Sequence, residues 1–342
     1  MAEFISTFAT GFQNIIKKNL PELIKGVKIL NIFDGLIHYQ YNGNSRDLEK
    51  VLYFNNTFFV IKTYKTQNNN EIDCFTMLIN DFYKDKKYFL ISKGTFRVRF
   101  SNENQFVKID KKVIQKIEEY VIKNSKMKVD RVSPSTEIWF SKRREGFCFC
   151  GQLIFKREFT EKNLNKGELR PEIAYLICSF SDIHPNENIL EPFCGYGSIP
   201  IQLVKKFHFN HLFACDIDEH KISLLKEKKQ LQNKDSVSVF CEDALTLKNI
   251  PDKSIDKIIT DPPWGFYEEM GDILCFYDKM FESFERVLKS KESFVIILTA
   301  RKTELEEIIQ KHKYNIVEKI DTLVNGKKAA VYKLKGSILN FV

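Results

Sequence analysis

Two patterns of apolar positions divide the chain. Beyond about residue 188, short apolar runs alternate with longer stretches in which apolar side chains recur every three or four positions. Ile189-Leu190, Leu212-Phe213-Ala214-Cys215, Ser236 to Phe240, Lys257 to Thr260 and Phe294-Val295-Ile296-Ile297-Leu298 read as strands. Ile199 to Phe207, about 219–232, about 273–289 and Glu304 to Lys311 read as helices between them. Two closing strands flank Asn325-Gly326, a pair suited to the φ > 0 positions of a tight hairpin turn. Repeated β–α units imply a mostly parallel sheet, and the terminal hairpin adds an antiparallel strand. The pattern predicts a Rossmann-like α/β domain.

The first half reads as α+β. Gln13 to Leu20 is helical with a basic face, and Val27 to Asn31 and Leu36 to Tyr41 are strands. Helix, strand and strand are expected to recur through Leu48, Phe58 to Tyr64, and Phe75 to Tyr83. The polar stretch Thr66-Gln67-Asn68-Asn69-Asn70 predicts a loop or domain boundary. Thr95-Phe96-Arg97-Val98-Arg99-Phe100 alternates, so both arginines share one strand face. A helix over about 111–124 follows, Val129-Asp130-Arg131-Val132 leads into Pro134, and Glu137 to Phe140 pairs with Gly146 to Phe155. Cys148 and Cys150 alternate along that last strand and share a face.

Charge sharpens this division. Of the net +8, residues 1–165 hold 28 Lys+Arg against 18 Asp+Glu, and the remainder holds 25 against 27. The first half thus resembles a polyanion-binding surface, the second an ordinary enzyme domain. The eight cysteines form no CxxC pair, which points to reduced thiols and buried fillers, not a disulfide framework or a metal site. No apolar run approaches a membrane span, and Met1-Ala2-Glu3-Phe4 lacks a basic leader, so a cytoplasmic location is expected.

Candidate chemistry lies at the strand ends of the second half. Glu191-Pro192-Phe193-Cys194-Gly195-Tyr196-Gly197-Ser198 follows a strand and opens a helix, with two glycines that let backbone approach a ligand. The third glycine of a dinucleotide fingerprint is not filled, which favours a cofactor without a pyrophosphate. S-adenosylmethionine (SAM) fits the spacing. Asp216, about 20 residues on, can take both ribose hydroxyls. Asp243 can accept from the adenine amino group, and Glu191 can meet the ammonium through water. Asp218 is an alternative to Asp216, and Glu242 to Asp243. Farther on, Asp261-Pro262-Pro263-Trp264-Gly265 ends an apolar run. Two prolines remove two backbone donors, so a carboxylate, a free carbonyl and an aromatic plane stand together at a strand's carboxyl edge.

On these residues the second half resembles the amino-group methyltransferases, whose motif at this point reads [DNS]-PP-[YFW]. The resemblance extends across the chain. Phe8-Ala9-Thr10-Gly11-Phe12-Gln13-Asn14-Ile15-Ile16 is similar to the opening of an N-terminal ferredoxin-like domain. Gly94 to Phe100 and Lys128 to Pro134 look like a THUMP domain, and Lys166 to Ala174 resembles the Leu-Arg-Pro segment leading into the catalytic domain. This order of parts resembles the THUMP-containing tRNA guanine-N2 methyltransferases. It implies a ferredoxin-like domain over 1–65, a THUMP domain over 66–157 and a Rossmann-like SAM methyltransferase domain over 158–342.

The resemblance also implies roles. Asp261, Pro262 and Trp264 would hold the target amine and base. Glu191, Phe193, Gly195, Gly197, Asp216, Ile217, Asp243 and Ala244, with Arg170 and Pro171, would hold SAM. Arg97, Arg99, Arg131, Lys142, Arg143 and Arg144 would form, as a cluster, the contact to tRNA. Trp264 stands where the family often has Tyr. A small activating protein partner stays open, as do three other readings: ribosomal RNA as substrate, adenine N6 as target, and a catalytically silent RNA-binding relative.

Overall fold

Alternation in the first half builds strands that all join one sheet. In a computed structural model of the protein, residues 2–65, 71–84, 89–157, 164–265 and 271–336 are described, and they divide into two compact units. One unit comprises residues 1–8 and 16–158, the other residues 9–15 and 159–342. The first contains β1 (Ala2–Thr7), most of α1 (Gln13–Leu23), β2 (Lys28–Phe33), β3 (Leu36–Tyr41), β4 (Asn56–Lys65), α2 (Glu71–Lys84), β5 (Lys93–Asn102), β6 (Gln105–Phe106), α3 (Lys111–Asn124), β7 (Lys126–Val129), β8 (Thr136–Lys142) and β9 (Phe147–Lys156). Among the described residues the sheet order is β2-β3-β1-β4-β9-β8-β5-β6, with β7 also on β5.

Three expectations change here. Phe75 to Tyr83, expected as a strand, lies in helix α2. Cys74, Leu78 and Phe82 recur every fourth residue and are buried on one helix face, a period a strand cannot bury. The sheet also runs on across the expected boundary at 65/66, because β4 pairs with β9 from Asn56↔Lys156 to Lys65↔Phe147. The Thr66–Asn70 loop itself lies outside the described residues. Finally, Cys74 and Cys148, expected reduced, are joined in a disulfide with Cα atoms 6.6 Å apart. The expected alternation in β9 is present: Cys148 and Cys150 pack beside Phe82 and Phe140, while Phe147 and Phe149 pack on the other face with Ile5 and Phe58.

The second unit contains α4 (Pro171–Phe180), β10 (Asn188–Glu191), α5 (Ser198–Lys206), β11 (His211–Asp216), α6 (Glu219–Lys226), β12 (Val237–Cys241), β13 (Lys257–Thr260), α7 (Ile273–Val287), β14 (Phe294–Thr299), α8 (Lys302–Lys311), β15 (Asn315–Val324) and β16 (Lys327–Lys335). Its sheet runs β12-β11-β10-β13-β14-β16-β15. Pairing is parallel from β12 to β14 and antiparallel at β16 and β15. The carboxyl ends of β10 to β13 therefore share one edge. On α7, Tyr277, Met280, Phe281, Phe284 and Val287 follow helical spacing and are buried with Ile258, Val295 and Ile297 of the sheet. Helix α6 ends at Lys226, short of the expected 232. Among the described residues no helix is long and apolar enough to cross a membrane.

Candidate active site

Each acidic residue at the carboxyl edge of the second sheet has a distinct local task. Glu191, the last residue of β10, is fully buried. Its Oε1 accepts from the Phe193 N–H at 3.0 Å and the Thr260 hydroxyl at 2.8 Å. Its Oε2 is buried with no hydrogen-bond partner. Desolvation, reinforced by the nearby Asp261 and Asp216 carboxylates, holds its pKa well above the ordinary carboxylate value, against the pull of those two hydrogen bonds. A cation brought to the open Oε2 would relieve that cost.

Asp216 ends β11 and organises the glycine turn. Its Oδ2 accepts from the Gly195 N–H at 2.9 Å and its Oδ1 from the Asp218 N–H at 3.0 Å. Gly195 and Gly197 have φ of 50° and 91°, the left-handed region that favours glycine. Asp218 caps α6 through the His220 and Lys221 N–H groups. Glu242 is likewise occupied, accepting from the Asp243 and Asn249 N–H groups and the Asn249 amide. Asp243 Oδ1 accepts from the Leu245 N–H at 2.9 Å, so all four acids hold backbone, and of the four Asp216 and Asp243 also line the cavity.

One cavity of about 490 Å³ gathers these groups. It is lined by Glu191, Phe193, Gly195, Asp216, Ile217, Asp243, Ala244, Asp261, Pro262 and Trp264 among the expected residues. Phe193 and Phe276 lie with ring centroids 5.8 Å apart along its wall.

Three expected residues are not in that lining. Gly197 caps α5, where a Cβ would come 2.2 Å from Leu225 Cδ1, so it serves close packing. Pro171 opens α4, and the Arg170 guanidinium lies 3.1 Å from the fully buried Glu172 carboxylate. Their neighbours Lys166 to Leu169 line the cavity in their place.

Asp261 follows β13 at the cavity floor. Its Oδ1 is shielded from solvent with no hydrogen-bond partner, and burial raises its pKa from 3.8 to about 8, opposed by the adjacent Trp264 indole. The Trp264 carbonyl accepts from Arg301 Nε at 2.7 Å, and Arg301 reaches Glu304 at 3.5 Å. Thr299 accepts from the Arg301 N–H at 2.9 Å and meets the Tyr277 hydroxyl at 2.9 Å. Arg301 lies some 37 residues beyond Trp264 in sequence, so no local motif announces it.

The six candidate RNA contacts belong to the first unit, and five are engaged within it. Arg97 Nε donates to Glu137 at 2.6 Å, and Arg131 pairs with both oxygens of Glu118. The Arg99 guanidinium stands 4.7 Å over the exposed Phe106 ring. Lys142 and Arg143 are only 4% and 8% exposed, and Arg143 donates to Asn104 and to the Asp34 carbonyl inside the unit. Arg144 is exposed at the β8–β9 turn.

Comparisons with known proteins bear on the family and the fold. Residues 157–330 match the family model described as UPF0020: RMKL-like, methyltransferase domain. The tRNA (guanine(6)-N2)-methyltransferase of Methanocaldococcus jannaschii is 23% identical, covering 97% of this chain and 99% of that protein. The U6 snRNA (guanine-N(2))-methyltransferase THUMPD2 of Bos taurus is 24% identical over 50% of this chain and 34% of its own length. Among solved structures, TrmN from Thermus thermophilus superposes with a TM-score of 0.79 at 18% identity, over 98% of this chain and all of that one.

Proposed function

We propose a function from one premise: the chain belongs to the UPF0020 family, the RMKL-like methyltransferase domain. It is a SAM-dependent methyltransferase that modifies the exocyclic N2 amine of a guanosine in tRNA. The observation that carries this reading is Asp261, an enclosed carboxyl with an open Oδ1 in the same cavity as Glu191, Asp216 and Asp243. The likeness to a tRNA (guanine(6)-N2)-methyltransferase across 97% of the chain supports tRNA as the substrate.

The residues present fit SAM. Gly195 brings backbone to the cavity, and Glu191 offers an open buried oxygen suited to the ammonium of the amino acid portion. Asp216 suits the ribose hydroxyls, Asp243 the adenine amine, and Ile217 and Ala244 its faces. The bound sulfonium supplies the electrophilic methyl group.

The chain's own residues prepare the nucleophile. An exocyclic amine on guanine is weakly nucleophilic because its lone pair is delocalised into the ring. Asp261 Oδ1 and the Pro262 carbonyl accept its two N–H bonds, favouring a pyramidal nitrogen with its lone pair aimed across the cavity. Trp264 stacks on the base, a contact worth about 1–3 kcal/mol. Alignment in a site shielded from water carries most of the catalysis. The first unit supplies the RNA grip in the manner of ferredoxin-like and THUMP domains, with Arg144 and the Arg99–Phe106 stack as its exposed elements.

Transfer of labelled methyl from SAM to unmodified tRNA, with nucleoside analysis, tests this. N2-methylguanosine is expected. N6-methyladenosine would overturn the base assignment, and labelling confined to ribosomal RNA or U6 snRNA would overturn the substrate.

A further inference from the structure

Holding an amine does not identify its base. Asp261 and Pro262 accept N–H from any exocyclic amine, and Trp264 can stack on any ring. The difference lies farther along the base edge. Next to its N2 amine guanine carries an N1–H donor and then the O6 acceptor. Next to its N6 amine adenine carries the N1 acceptor and then C2–H. Selecting guanine therefore needs an acceptor and then a donor beyond the amine slot.

Sheet order shows where such groups stand. The carboxylates assigned to SAM lie at the ends of β10 to β12, on one side of β13 and its Asp261. On the other side, past β14, polar lining comes from the β15–β16 hairpin, as Asn325 and Lys327. Thr299, the last residue of β14, pairs with Ala330, whereas the hairpin closes only at Val324↔Lys327. Its tip thus extends past the carboxyl end of β14. Asn325 and Gly326 have φ of 50° and 75°, a tight two-residue turn.

The strand leading to this tip is braced. Thr322 Oγ1 donates to the Thr10 carbonyl at 2.8 Å. Gly11, at φ 89°, lies so close that a Cβ there would be 2.1 Å from the Asp321 carbonyl oxygen. The Thr10-Gly11 turn thus fixes the hairpin just before its tip, which gives that part of the N-terminal segment a role in the catalytic unit.

We propose that the hairpin tip is the base-reading element, with Lys327 donating to guanine O6 and the Asn325 side-chain carbonyl accepting from N1–H. This rests on the base-methylation reading above. Both residues set specificity without touching the reacting nitrogen.

The test compares RNA carrying its mapped target as guanosine or as 2,6-diaminopurine. The analogue keeps the N2 amine but replaces O6 by an amine and N1–H by a bare nitrogen. Wild-type protein is expected to prefer guanosine by roughly 100-fold, as two hydrogen-bond mismatches along the base edge imply. Lys327→Met, and Asn325→Gly, which keeps the turn's backbone, should each cut that preference about tenfold by slowing guanosine alone, with SAM binding unchanged. An undiminished preference in both variants overturns the proposal while leaving the N2-methylguanosine reading intact. Failure of the wild-type protein to form any N2-methylguanosine overturns both.

Discussion

The Arg301 guanidinium donates to the Trp264 carbonyl at 2.7 Å, tying the loop after β14 to the Asp261–Trp264 turn. The Asp-Pro-Pro-Trp turn is therefore held from outside its own segment. Arg301→Gln should lower kcat/KM for RNA about 10- to 100-fold, because small misplacements at a reacting centre cost that much. SAM affinity, measured by calorimetry on the same sample, should be unchanged. Loss of both together would show Arg301 supporting the whole fold instead.

Asp261 links the site to pH. Burial raises its pKa from 3.8 to about 8, so the folded protein keeps a proton that the unfolded chain releases between those values. Stability contributed by this group is full below the lower value and is lost as pH rises toward 8. Asp261→Asn cannot ionise and escapes that loss. Its Tm should exceed the wild-type Tm by a margin that widens from about pH 5 to about pH 8.5. A margin independent of pH would refute the raised pKa.

Gly197 is a packing position. Its φ of 91° disfavours any side chain, and a Cβ would press on Leu225. Gly197→Ala should cost roughly 2–5 kcal/mol of stability in denaturant titrations, the sum of backbone strain and overpacking. Gly326→Ala, at φ 75° but with open space around it, should cost less.

Most of the catalytic unit was legible because a parallel sheet repeats one unit, and its strand ends carry chemistry at recognisable spacing. Asp216 and Asp243 could be placed at strand ends before any coordinates. Hydrogen bonding does not separate them from Asp218 and Glu242, since all four accept backbone N–H groups; what differs is that Asp216 and Asp243 line the cavity. The hairpin at Asn325-Gly326 was equally plain, but its reach over the cavity depends on strand register. Phe75 to Tyr83 was misread because a short, aromatic-rich apolar run satisfies strand and helix patterns alike. The partners of the basic cluster in the first unit were not legible for another reason. Its neutralising partners Glu118 and Glu137 are brought to Arg131 and Arg97 by the fold, and the interior position of Lys142 and Arg143 follows from sheet pairing.

Burial and pairing single out Arg144 among the proposed RNA contacts. Arg144 is exposed at the β8–β9 turn, so Arg144→Ala should weaken RNA binding alike for different sequences and reduce the salt slope of log K by about one. Arg131→Ala, already paired with Glu118, should change that slope less. Equal effects would mean that the Glu118 pair opens on binding.

The central claim is that Asp261 takes the target amine, and Asp261→Ala tests it most directly. SAM binding and methyl transfer to tRNA would be measured on one preparation of this variant. The account predicts SAM affinity near that of the wild-type protein and no detectable N2-methylguanosine. Transfer near the wild-type rate would contradict it and move the amine acceptor elsewhere in the cavity.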